Sequence, residues 1–178
     1  MGSTYVTHTI RATDRKKIGD LLAGRKAMVS TASGGVVVVY DKDCNSLGKE
    51  APLDLAKMLS ASLNAVVFVV INLDDDVLIY WLFKNGTPID AYDSRPDVSK
   101  GPIGGHAHIL CEAFASPNIE ATEFILRSEE YVSAFDRHTH LVKALGLAPE
   151  LAGFSSLVAD SFTTGFGESA STGIGGNP

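Results

Sequence analysis

The stretch VVFVVINL-DDD-VLIYWLFK-NG-TPIDAY, residues 66–92, decides the fold. Val66–Leu73 and Val77–Phe83 are β-branched and aromatic runs of strand length, joined by Asp74, Asp75 and Asp76. Asn85-Gly86 suits the two left-handed positions of a tight hairpin turn and leads into Pro88–Tyr92. The segment therefore reads as a three-stranded antiparallel meander. Its first two runs lack polar alternation, so both faces of these strands are expected to be covered.

Working toward the N-terminus, Pro52 opens a helix with Leu55, Met58, Leu59 and Leu63 on one side. Ahead of it, residues 41–51 form a polar loop, and the Ser33-Gly34-Gly35 turn precedes an unbroken apolar strand, Val36–Tyr40. Lys26–Thr31 reads as a short strand. Thr13 is expected to cap a short helix carrying Ile18, Leu21 and Leu22 and ended by Gly24. Residues 4–10 alternate, with Val6, His8 and Ile10 on one face and Tyr5, Thr7 and Thr9 on the other.

Toward the C-terminus, Ser94–Gly105 is a Pro- and Gly-rich loop. Three helices are expected after it: Ile103–Ala115, a second from the N-cap Ser116 with Pro117 in its first turn to Arg127, and a third from Ser128 to the C-cap Gly146. Residues 1–162 read as a single domain, and residues 163–178, rich in Gly, Ser and Thr, as a flexible tail. The fold expected is α+β in two layers: an antiparallel meander sheet of four to six strands with helices packed on one face. The second face would be covered by the N-terminal elements, the tail or a partner subunit.

Composition bounds function. The chain has 178 residues, 45% hydrophobic and 20% charged, with mean hydropathy +0.12. No run approaches the roughly 18 uncharged apolar residues of a membrane span. Net charge −6 and pI near 5.3 argue against nucleic acid as a partner. Residues 1–30 carry a net +4, leaving −10 on the rest, so a basic N-terminal element joins an acidic body. Two lone cysteines, Cys44 and Cys111, make no disulfide framework. The opening residues lack a secretion signal, and a cytoplasmic location is expected.

Several chemistries fail on their motifs. In Gly19–Ala27, Arg25 stands where a P-loop needs its lysine, and Ala27 follows where Ser or Thr is required. Gly153-Phe154-Ser155-Ser156-Leu157 lacks the second glycine of a nucleophile elbow, and Ser46-Leu47-Gly48-Lys49 stands alone without the partners of its motif. Gly165-Phe166-Gly167 follows no clear strand and opens no helix. The aromatic residues Tyr80, Trp81, Phe83 and Tyr92 lack the basic neighbours of a single-strand stacking platform.

Histidines and aspartates remain. His106/His108 and His138/His140 are His-x-His pairs on segments read as helical, where such residues diverge by about 200°. Each pair is therefore expected to supply one metal ligand at most, with His106 and His138 facing inward and His108 and His140 outward. Asp74, Asp75 and Asp76 occupy the hairpin turn, and Asp90, Asp93 and Asp97 line the exit of the meander. These six aspartates are the candidate binding residues.

Two functions follow as expectations. The leading one is a small acidic interaction or regulatory module, immunity- or inhibitor-like, with no cofactor and a protein partner of basic surface, possibly also self-associating. The alternative is a metal-dependent hydrolase in which Asp90, Asp93, Asp97, His106 and His108 hold a divalent ion. An anion sensor built on Arg15, Lys16, Arg25 and Lys26 ranks third.

Overall fold

The computed structural model describes residues 2–45, 48–95 and 101–153, together with the backbone of residues 163–164. Its elements run β1 (Tyr5–Ile10), α1 (Arg15–Leu21), β2 (Ala27–Val29), β3 (Val37–Asp41), α2 (Glu50–Leu63), β4 (Val66–Leu73), β5 (Val77–Lys84), β6 (Thr87–Asp93), β7 (Ile103–Gly104), α3 (Ala107–Phe114), α4 (Ile119–Arg127), α5 (Ala134–Ala144) and β8 (Thr163–Thr164). The fold is α+β, as expected. Its antiparallel sheet has eight strands in the order β7-β6-β5-β4-β1-β3-β2-β8, more than the four to six expected, because two-residue strands extend both edges.

The meander forms with Val66 opposite Lys84 and Leu73 opposite Val77. Asn85 and Gly86 both take positive φ (52° and 77°), which is why that pair turns so tightly here. Strand alternation then divides the apolar residues between two cores. Val67, Val69 and Ile71 pack with Ile18 and Leu22 of the α1 region and Leu55, Ala56 and Leu59 of α2. Phe68, Val70, Leu78, Tyr80 and Leu82 pack with Leu110 and Phe114 of α3, Leu126 of α4 and Leu141 and Val142 of α5. Helices α3–α5 thus line one face, and the N-terminal elements cover the other, as the unbroken strands required. No helix of the described residues is long and apolar enough to cross a membrane.

Helix boundaries differ from the sequence reading where glycine and capping chemistry intervene. Asp14, not Thr13, caps α1, accepting from the Lys17 backbone N–H at 3.0 Å. Gly104 and Gly105 both have positive φ, so the expected Ile103–Ala115 helix starts late and Ile103–Gly104 pairs with β6 instead. A Cβ on Gly104 would lie 2.1 Å from the Ala91 carbonyl oxygen, which explains the glycine. Helix α4 starts at Ile119 rather than beside Pro117, and α5 starts at Ala134, leaving Ser128–Ser133 as a connection. The expected tail lies outside the described residues, apart from Thr163–Thr164 pairing with Met28 and Val29 at the sheet edge.

Asp75 shows what the aspartate turn does. Its carboxylate accepts from Ser133 Oγ (3.1 Å) and the Phe135 backbone N–H (2.8 Å), while Ser133 Oγ in turn accepts from Asp136 N–H. The β4–β5 turn therefore holds the positive end of α5 against the sheet. Replacing this cap, Asp75→Ala, is expected to cost about 1–2 kcal/mol, read as a lowered urea midpoint with unchanged slope.

Candidate functional site

The site is best built from β6, where successive side chains face opposite ways. Tyr92 and Asp90 point to the α3–α5 side, and Asp93, opposite Ile79, points to the other. Asp90 sits beside Leu82 with its side chain 1% exposed. Three donors compensate its burial: Tyr80 Oη at 2.8 Å, the His106 backbone N–H at 3.0 Å and His106 Nδ1 at 2.8 Å. Burial first, and then the adjacent Asp90 carboxylate, push the Tyr80 phenol far above its ordinary range, so it stays protonated and donating.

His106 occupies the position just before α3, with extended backbone (φ −117°, ψ 104°) rather than helical. It is therefore more exposed than the inward position expected of it, its side chain being 58% accessible. A carboxylate only accepts, so Nδ1 carries a hydrogen toward Asp90, and Nε2 has no partner among the described residues. The His108 ring lies with its centroid 5.9 Å from that of His106, at 74°. The expected divergence of this pair is thus overturned, because His106 precedes the helix. Arg127 fixes the same junction from outside, donating to the carbonyls of Gly104 (2.7 Å) and Gly105. A Cβ on Gly105 would meet the Tyr92 ring at 2.8 Å and the Tyr80 hydroxyl at 3.1 Å.

The structure separates the other candidates. Asp93 lies on the opposite face from Asp90 and accepts from the Arg95 backbone N–H. Asp97 lies outside the described residues. Asp74, Asp75 and Asp76 stand at the hairpin end, where Asp76 pairs with Arg95 and Asp75 caps α5. Among the described residues no three His, Cys, Asp or Glu side chains converge on one point. Of the five proposed metal ligands, Asp90 and His106 come together in direct contact, with His108 beside them. Sequence reasoning missed Tyr80; its pairing with Tyr92 across two strands, two residues from Asp90, was the available signal.

His138 is fully buried as expected, stacked on Tyr5 and bonded to its hydroxyl through Nδ1 at 2.9 Å. Burial lowers its pKa to about 3, and that of His8, equally buried against the Pro52 carbonyl, to about 4. His140 is exposed and bonded to Tyr131 Oη. Of the basic residues in the N-terminal element, Lys16 pairs with Asp20, Arg25 with Asp41, and Arg15 donates to the Val29 carbonyl.

A second feature was not read from the sequence. Between α4 and α5 runs a groove of about 480 Å³ lined by Ala121, Phe124, Ile125, Tyr131, His140 and Ala144 among others. Phe124, within that lining, is 62% exposed. Exposed Glu120, Glu129, Glu130 and Asp136 lie on the two helices and the connection that form it. Lys143 is the lone lysine or arginine in the lining.

Comparison with protein-family models, with curated proteins and with solved structures finds no match for this chain.

Proposed function

We propose that the protein is an interaction module that takes an apolar and basic partner segment, such as one face of an amphipathic helix, into the α4–α5 groove. The exposed Phe124 in the lining of an apolar trough carries this reading. Large apolar side chains left in water around a concave surface mark contact sites. Exposed Glu120 and Asp136, each one helical turn from the lining residues Phe124 and His140, give the charge complement for a basic partner and disfavour an acidic one. Cys44 and Cys111, both buried and free, support a reducing, cytoplasmic setting.

The test uses a synthetic amphipathic helix of Leu and Lys, titrated into the full chain, with a Leu/Glu helix of the same pattern as control. Saturable binding of the basic peptide, weakened by salt and about tenfold or more weaker for Phe124→Glu, is expected; a loss of that size is about 1.4 kcal/mol. The added glutamate raises the negative charge, so a weaker complex reports the groove and not simple attraction. Equal binding of both peptides, indifference to Phe124→Glu, or self-association through this face would overturn the reading.

A hydrolase reading retains one specific observation, the free Nε2 of a histidine held by a buried carboxylate. It loses the three-aspartate ion site, since Asp90 and Asp93 face opposite ways.

A further inference from the structure

We propose that His106 and His108 chelate a late transition-metal dication of the Zn²⁺, Ni²⁺ and Cu²⁺ class, with Asp90 orienting His106 from behind. This site is independent of the α4–α5 groove. Metal-bound histidines characteristically donate their second ring N–H to a carboxylate, which fixes the tautomer and raises the basicity of the ligating nitrogen. Here that arrangement is already assembled without the ion. Asp90 is locked by Tyr80 Oη and the His106 backbone N–H, it accepts from Nδ1, and the half-exposed ring has no described partner at Nε2.

The spacing of the two rings is compatible with a shared ion. Metal–nitrogen bonds of about 2.0–2.1 Å place an ion roughly 3.2 Å from each imidazole centre, so centroids up to about 6.4 Å apart can be bridged. The observed separation is 5.9 Å. A tetrahedral angle asks for about 5.2 Å, a closure within reach of a rotation of His108, whose side chain is exposed. With two imidazoles as the protein donors, the remaining coordination positions fall to water. Imidazole donors select this class of metal over Mg²⁺ or Ca²⁺, which take oxygen.

Charge is the main opposing effect. The site lies at the N-terminus of α3, whose dipole disfavours a cation. The buried Asp90 carboxylate directly behind His106 offsets that effect, and Glu112, exposed one turn beyond His108, adds a second negative charge nearby. Arg127, a cation at this junction, is engaged by Glu123 and the Gly104 and Gly105 carbonyls. The other His-x-His pair lacks this design. Its His138 is buried against Tyr5 and its His140 is bonded to Tyr131, so the rings do not present two free nitrogens together.

The test is calorimetric titration of the chelator-stripped full chain with Zn²⁺ and Ni²⁺, alongside the Cu²⁺ electron paramagnetic resonance spectrum. One ion per chain is expected, with two nitrogens coupled to Cu²⁺. Asp90→Asn should weaken binding by about 10–100-fold, and His106→Gln and His108→Gln should each weaken it more. His140→Gln should leave the affinity unchanged, since it removes neither a ligand nor the Asp90–His106 bond. Wild-type affinity in either His106→Gln or His108→Gln, a single coupled nitrogen, or equal loss in His140→Gln would overturn the proposal. Should Asp90→Asn fail to fold, the two exposed histidine variants and the Cu²⁺ spectrum still decide it.

Discussion

Brought from pH 7 toward pH 4, the protein is expected to lose stability steeply, beginning near pH 6.5. His8 and His138 are fully buried, and burial holds their pKa values near 4 and 3 in the folded state. In the unfolded chain each titrates near 6.5. Between those limits the unfolded state binds protons that the folded state refuses, so the stabilisation is complete above pH 6.5 and fades as pH falls through 4 and 3. Each histidine then removes about 1.4 kcal/mol per pH unit, and the pair about twice that. Urea midpoints measured between pH 7 and 5, above the range of most carboxylates, isolate this effect. His138→Leu should roughly halve the slope. An unchanged slope would mean that the ring charges in place.

The second large effect is a cavity. Phe68 is fully buried, with the rings of Tyr80, Phe114 and His138 at 5.1, 5.9 and 6.5 Å around it. Phe68→Ala removes contacts shared by the sheet, α3 and α5, which cannot all move inward to fill the space. A cost of about 3–5 kcal/mol is expected, corresponding to a melting temperature lower by about 6–20 °C. The exposed Phe124→Ala should stay within about 0.5 kcal/mol of the parent and serves as the control. A Phe68→Ala loss under about 1 kcal/mol would show that this core closes over the gap.

The meander was legible because three signals agree over residues 66–92: β-branched runs, an aspartate turn and Asn85-Gly86. The two-sided cover followed from the same unbroken strands. What could not be read was the division of labour among the aspartates. Asp90 and Asp93 are three residues apart, and the pleat alone sends them to opposite faces, yet the sequence reading treated them as one cluster. Helix periodicity likewise ran on through Gly104-Gly105 and placed His106 inside a helix. A pair of glycines with positive φ ends that pattern, and the consequence for the histidine geometry is complete, since 200° of divergence becomes two neighbouring rings. The α4–α5 groove escaped because Phe124 reads as an ordinary apolar residue until the packing shows that the core leaves it out.

The place of β1 carries a consequence for synthesis. Tyr5–Ile10 lies between β3 and β4, and its ladder with β4 joins residues more than fifty positions apart. During translation this strand emerges ahead of both partners, with two unpaired edges, until residues through Leu73 have followed it. Such long-range closure slows folding and leaves strand edges open to mispairing. Once in place, β1 alone joins the β4–β7 half of the sheet to the β3-β2-β8 half, whose strands are otherwise not paired with one another. Removing those six residues would leave two half-sheets, and a peptide supplying Tyr5–Ile10 in trans would have a slot with hydrogen-bonding partners on both sides.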